Sequence, residues 1–163
     1  MKSFFTFLFI SMACIFGQAQ SSAAEVPATI PEFQLVKIKG EGIFDSKNIT
    51  KNKKTLVGYV SPECIHCLLS LELLNNNFNY LKDINIILIT EYDKEQFDAK
   101  VKPIAPLFFE SKNVEILRDS EYEMPEKLKL TTLPTYFLFD KKGDIETMKR
   151  GSIEIVQIFN HLK

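Results

Sequence analysis

Apolar and polar positions along this chain switch between strand-like and helix-like periods, and the switches outline an α/β domain. From Phe33 to Ile38 the alternation is loose, as in an outer strand, and Gly40-Glu41-Gly42 marks a turn after it. Thr55 to Val60 is short, apolar and partly β-branched, which suits a buried central strand. Ser61 then offers an N-cap and Pro62 a first helical position, where its missing N–H costs nothing. The predicted helix carries both Cys64 and Cys67. It fades near Asn75-Asn76-Asn77 or continues after a kink from Phe78 to Leu81.

Ile84 to Thr90 is the clearest strand, with Ile86-Ile87-Leu88-Ile89 apolar on both faces. Residues from Lys94 to about Phe109 read as helical, interrupted at Pro103 and Pro106. Val114 to Leu117 forms a short strand and Pro125 to Leu130 a short helix. Tyr136-Phe137-Leu138-Phe139 and Ile145 to Lys149 flank the turn Asp140-Lys141-Lys142-Gly143-Asp144, a hairpin signal. Ile155, Ile158, Phe159 and Leu162 then recur at helical spacing. The sum is an α/β sheet closed by an antiparallel hairpin and a helix.

Composition narrows the classes. Lys and Arg number 20 against 21 Asp and Glu, so no basic footprint points to nucleic acid. The length suits one domain, without repeats or low-complexity stretches. Met1-Lys2 followed by the apolar run Phe4 to Phe16 and then small residues describes a secretory signal peptide. That run is shorter than the roughly 20 residues a bilayer span needs. Cleavage after Ala19 or after Ala24 is compatible with the small residues there. The expected organisation is therefore a signal peptide over 1–24 and one domain over 25–163. Ser11-Met12-Ala13 is a poor lipobox, which argues against a lipid anchor on Cys14. An exported chain of this kind is expected in a bacterial periplasm, and no feature calls for an obligate dimer, so a monomer is expected.

The chemistry concentrates in Ser61-Pro62-Glu63-Cys64-Ile65-His66-Cys67, at a strand-to-helix junction. A helix N-terminus brings unpaired N–H groups and positive dipole charge, which favour a thiolate at the first cysteine. The two-residue spacing lets the second sulfur reach the first. A structural disulfide is the plain alternative, but so short a loop constrains the unfolded chain little. A chain that is 45% hydrophobic can also build its own core. Thr131-Thr132-Leu133-Pro134-Thr135 is the second motif, with a proline at the turn entering a strand.

On these motifs the chain resembles the thioredoxin superfamily, in which a cis-proline faces the Cys-x-x-Cys pair. It is most similar to the periplasmic TlpA/ResA branch. Pro31-Glu32-Phe33-x-Leu35 and Lys54-Thr55-Leu56-Val57 match that branch's opening. Leu133-Pro134-Thr135-Tyr136-Phe137-Leu138-Phe139-Asp140, Gly143 and Arg150-Gly151 match its close. The resemblance implies a thioredoxin-like fold with a central mixed sheet flanked by helices. It also implies an insertion, an extra helix and strand, between the active-site helix and the proline. The implied activity is thiol–disulfide exchange with client proteins, with Cys64 and Cys67 as the catalytic pair. Their disulfide is the redox group, and no metal or other cofactor is implied. Leu133 and Pro134 become the client-binding residues, and a membrane-bound redox donor or acceptor becomes the second partner.

The departures bear on direction. Glu63 stands where the branch usually carries Trp, and a carboxylate beside Cys64 opposes thiolate formation unless it points to solvent. Gly58 stands six residues before Cys64, where thioredoxin has a buried acid. Ile65 and His66 fill the dipeptide, and a histidine before the second cysteine resembles oxidising DsbA and protein disulfide isomerase motifs. The scaffold thus leans toward a reductase and the dipeptide toward an oxidant or isomerase. Other classes remain as alternatives: a metal or copper site on Cys64, Cys67 and His66, or a redox-inert binding module. Zinc would need further ligands, and His161 most simply decorates the last helix. Leu68 after Cys67 excludes a c-type haem site. The run Pro106-Leu107-Phe108-Phe109 suits core packing of the inserted helix better than a client-docking surface.

Overall fold

Where the chain is most continuously apolar it forms the middle of a sheet. The computed structural model describes residues 26–162. The expected signal peptide over 1–24, with Cys14, lies outside the described residues. Among the described residues there are seven strands: Gln34–Lys37 (β1), Ile43–Asp45 (β2), Thr55–Tyr59 (β3), Asn85–Thr90 (β4), Val114–Arg118 (β5), Thr135–Phe139 (β6) and Ile145–Arg150 (β7). They join in the order β2-β1-β5-β4-β3-β6-β7. Strands β3, β4 and β5 are parallel, whereas β1, β6 and the β6–β7 hairpin pair antiparallel, so the sheet is mixed.

Each central strand sends alternate residues to two cores, as a period of two requires. Leu56, Ile86, Leu88, Tyr136 and Leu138 face one cluster, which also holds Leu71, Leu74, Phe97 and Phe108. Val57, Tyr59, Ile87, Ile89, Phe137 and Phe139 face the other, with Phe33 and Phe44. Being covered on both faces, β3, β4 and β6 are mostly apolar and almost wholly buried, which is why their sequences show no clean alternation.

Five short helices cover the sheet: Ile65–Asn76 (α1), Lys94–Val101 (α2), Pro106–Glu110 (α3), Met124–Lys127 (α4) and Gly151–Glu154 (α5), the last continued by a 3-10 segment over Ile155–His161. The helix expected from Lys94 to Phe109 is two helices, broken between Val101 and Pro106. Asp93 and Gln96 close a capping box on the first of them. Between α1 and Pro134, where an extra helix and strand were expected, lie β4, α2, α3, β5 and α4, and β5 sits between β1 and β4. Lys39, just after β1, ties it down by donating to the carbonyls of Phe108 (3.3 Å), Val114 (3.0 Å) and Ser111.

One strand was not expected. Ile43–Asp45 (β2) follows the glycine turn and pairs antiparallel with β1, so β1 is the second strand in from the edge. Three residues are too few to carry a periodic signal. Tertiary burial of Phe44 against Phe33, with ring centroids 6.3 Å apart, holds the strand in place.

The phenylalanine run of α3 belongs to the core. Phe108 is fully buried and meets Phe78 edge-to-face at 5.5 Å, while Leu107 is exposed. Truncating Phe108 to Ala should therefore cost about 3–5 kcal/mol in urea unfolding. Leu107→Ala should stay within about 0.5 kcal/mol of the parent. Equal losses for the two would mean that α3 does not pack as described.

Candidate active site

Strand β3 ends at Tyr59, and the next five residues turn the chain into α1. Ser61 organises the turn. Its hydroxyl accepts the Glu63 N–H at 3.2 Å, and its carbonyl accepts the Cys64 N–H at 3.2 Å. The serine hydroxyl is thus used two residues on, in a local turn, and does not cap the helix. This corrects the expected helix start: α1 begins at Ile65, with Cys64 at the N-cap and only Cys67 inside the helix.

The two thiols, both free, differ sharply in setting. Cys64 has extended backbone (φ −97°, ψ 113°), and its side chain makes no capping bond, so the sulfur remains available. Its carbonyl accepts the N–H groups of Cys67 (2.9 Å) and Leu68 (3.0 Å), which starts the helix. The N-terminal end of α1, with its partial positive charge, therefore opens at a half-buried sulfur. Cys67 is 0% exposed and its sulfur accepts the Ser61 N–H at 3.3 Å. Burial pushes its thiol up to about 12; the neighbouring Cys64 adds to the rise, and the Ser61 N–H partly opposes it.

The proline motif comes to the same end of the sheet. In the antiparallel pairing of β3 and β6, Tyr59 stands opposite Thr135. Pro134, one residue before, is therefore across from Val60, beside the turn that leads to Cys64. The Leu133–Pro134 bond is cis, and the Pro134 carbonyl accepts the Gly151 N–H at 2.9 Å. Leu133 is half-buried and packs against both cores. Cys64, Cys67, Leu133 and Pro134 are thus brought together. Glu63, Ile65 and His66 are all exposed, and among the described residues His66 hydrogen-bonds to neither sulfur. His161 lies elsewhere, 3.2 Å from Glu146. A cleft of about 280 Å³ borders Lys47, Lys53, Thr55 and Lys141, at the other end of β3, and includes neither cysteine.

Two residues beneath the cysteines were not singled out from the sequence. Ser70 is fully buried one turn after Cys67, with its Oγ 2.7 Å from the Cys67 carbonyl and 2.6 Å from the Tyr136 hydroxyl. Tyr136 pairs with Gly58 across β3 and β6. A Cβ at position 58 would lie 2.6 Å from the Tyr136 ring, so only glycine fits there. The available signal was that glycine itself, alone in an otherwise apolar strand.

No protein-family model and no curated protein matches this chain. Its fold does match solved structures. StoA from Bacillus subtilis superposes with a TM-score of 0.62 at 21% identity, over 84% of this chain and 100% of that one. A thiol-disulfide oxidoreductase from Bacteroides fragilis gives 0.62 at 20% identity, over 83% and 99%. A secreted disulfide oxidoreductase of Mycobacterium tuberculosis, described as homologous to E. coli DsbE, gives 0.65 at 13%, over 80% and 93%. The chain has the thioredoxin-like fold.

The raised Cys67 thiol has a consequence for stability. Its ordinary value is 9.0 and the folded value about 12. The stabilisation linked to its bound proton is complete below pH 9 and is lost as pH rises from about 9 to about 12, because the unfolded thiol ionises first. In denaturant titrations of the reduced protein, the parent should therefore lose more stability across that window than Cys67→Ala does. Parallel losses in the two proteins would remove the assignment.

Proposed function

We propose that this protein is a thiol–disulfide oxidoreductase that exchanges disulfides with client proteins and works as a reductant of the TlpA/ResA type. The observation that carries this reading is the asymmetry of the pair, a half-buried Cys64 at the helix N-cap and a fully buried Cys67 behind it. The accessible sulfur is suited to meet a client and the buried one to finish the reaction.

In the reducing direction the Cys64 thiolate attacks one sulfur of a client disulfide. A mixed disulfide forms and the first client sulfur leaves as thiolate. Cys67, having given up its proton, then attacks the Cys64 sulfur. The Cys64–client bond breaks, the second client sulfur leaves, and a Cys64–Cys67 disulfide remains. Two electrons and the Cys67 proton have passed to the client, whose other sulfur is released as a thiolate. A dithiol donor, which we assign to a membrane-bound redox protein, restores the pair. Among the described residues the N–H and C=O of Leu133 have no backbone partner. They are suited to receive an extended client segment, as a strand edge does.

Support for the reducing direction comes from what touches the sulfurs. Strong oxidants stabilise a thiolate in their reduced form. Here His66 is exposed and bonds to neither sulfur, so the dipeptide's histidine makes no contact that would favour an oxidant. Export of the domain after removal of 1–24, to a periplasm-like compartment, agrees with the apolar run at Phe4 to Phe16. The Mycobacterium neighbour of the same fold is likewise described as secreted.

Cys64→Ser should abolish reduction of a disulfide client, whereas Cys67→Ser should accumulate mixed disulfides visible as reducible adducts on gels. Full turnover in Cys64→Ser would sink the assignment. Equilibrated against dithiothreitol and glutathione buffers, the Cys64–Cys67 couple should sit at about −270 mV or lower. A value of about −120 to −180 mV would reverse the direction and make the protein an oxidant or isomerase.

A further inference from the structure

We propose that Ser70 and Tyr136 are positioning residues for Cys67, a buried hydroxyl pair that supports the step in which Cys67 resolves the mixed disulfide. This rests on the exchange reaction proposed above.

The direction of the hydrogen bonds is fixed by chemistry. A carbonyl only accepts, so the Ser70 hydroxyl donates to the Cys67 carbonyl across 2.7 Å. With its one proton so committed, Ser70 can only accept from Tyr136, across 2.6 Å. A chain of donors therefore runs from β6 to the first turn of α1, with every hydroxyl in it buried. Tyr136 lies two residues after Pro134. The pair thus ties the strand that follows the proline turn to the helix that carries the resolving sulfur.

The same pair occupies the place an acid would need. The Tyr136 ring rests on Gly58, with Cε1 2.6 Å and Cδ1 2.7 Å from where a Cβ would stand. Any side chain at 58, a carboxylate included, would displace that ring. The groups around Cys67 can be named element by element. Its own turn supplies Cys64, the loop before it the Ser61 N–H, and β6 the Tyr136 hydroxyl. Glu63 and His66 stand on the exposed rim, and no carboxylate contributes to the rise of the Cys67 thiol. Burial, together with the two cysteines, keeps Tyr136 protonated and so able to donate.

Resolution asks Cys67 to lose a proton in this apolar setting and to aim its sulfur at Cys64. The client thiolate released in the first step takes that proton. The hydroxyl pair keeps its own protons throughout. Its contribution is to hold the Cys67 carbonyl, and with it the sulfur, in line.

The test uses the reduced mature domain and the aromatic disulfide 5,5′-dithiobis(2-nitrobenzoate) in stopped flow. The first coloured thiolate reports attack by Cys64 and the second reports resolution by Cys67. In Tyr136→Phe, which keeps the ring over Gly58, and in Ser70→Ala, the first release should stay within about twofold of the parent and the second should slow about tenfold. Ser70→Thr, which keeps a hydroxyl, should recover most of the second rate. A merely structural role would lower the unfolding midpoint and leave the ratio of the two rates unchanged. That result, or both releases slowing together, would overturn the proposal. A parent protein that gives no second release would overturn the exchange reading itself, and with it this one. A parent that does, with variants indistinguishable from it, would overturn this proposal alone.

Discussion

The register between β3 and β6 is the constraint on which the rest of the structure depends. It sets Gly58 opposite Tyr136 and Tyr59 opposite Thr135. β3 leaves the sheet through the Ser61–Cys64 turn and β6 enters it from Leu133–Pro134, so this single pairing brings the two motifs to one edge. A slip of one residue would send every side chain of β6 to the other face. Tyr136 would leave the helix side and Phe137 would enter it, where α1 already fills the space with Leu71 and Leu74. The register is in turn locked by the close fit of the Tyr136 ring on Gly58, which no larger residue permits. One glycine therefore underwrites both the sheet and the site.

The asymmetry of the two cysteines comes from the same local chain of causes. Cys67, Ser70, Leu71 and Leu74 are the buried positions of α1, spaced i, i+3, i+4 and i+7, so Cys67 is the first residue of the stripe that faces the sheet. Cys64 would extend that stripe by one step, but it stands at the N-cap, where the backbone is extended and the stripe has not begun. A difference of three residues thus separates a sulfur at the surface from one in the core. Had Ser61 capped the helix, both cysteines would have been helical and the contrast between them smaller.

Much of this was legible in the sequence. The strands β3, β4 and β6 could be read because both faces are covered and their residues are mostly apolar. The β6–β7 hairpin was marked by Asp140 to Asp144, and the cysteine pair and Pro134 by spacing and by their places at strand ends. The start of α1 was misread because a serine before a proline looks the same whether its hydroxyl caps a helix or bonds the Glu63 N–H. Where β3 ends decides which, and that is a property of the sheet. Strand β2 was invisible because its three residues are held by Phe44 in the core and not by a pattern of their own. Ser70 and Tyr136 were passed over for a related reason. A tyrosine in a strand and a serine in a helix are ordinary, and only a contact across 66 positions of chain makes them a pair.

These settings divide the work of the site between its surface and its interior. Glu63, Ile65 and His66 are exposed and lie beside Cys64, so in the proposed exchange whatever charge and shape they supply falls on the encounter with a client. Neither Glu63 nor His66 contributes to the raised Cys67 thiol, whose sulfur is buried and meets the Ser61 N–H and the Cys64 side chain. A buried thiol that must ionise draws on fixed dipoles, because water cannot reorganise around it. In this fold the dipole that meets the sulfur is the Ser61 N–H of the turn that ends β3, while the hydroxyls of Ser70 and Tyr136 hold the Cys67 carbonyl. In the exchange reaction proposed above, the dipeptide between the cysteines therefore bears on which clients are met. The strand beneath bears on how the reaction closes.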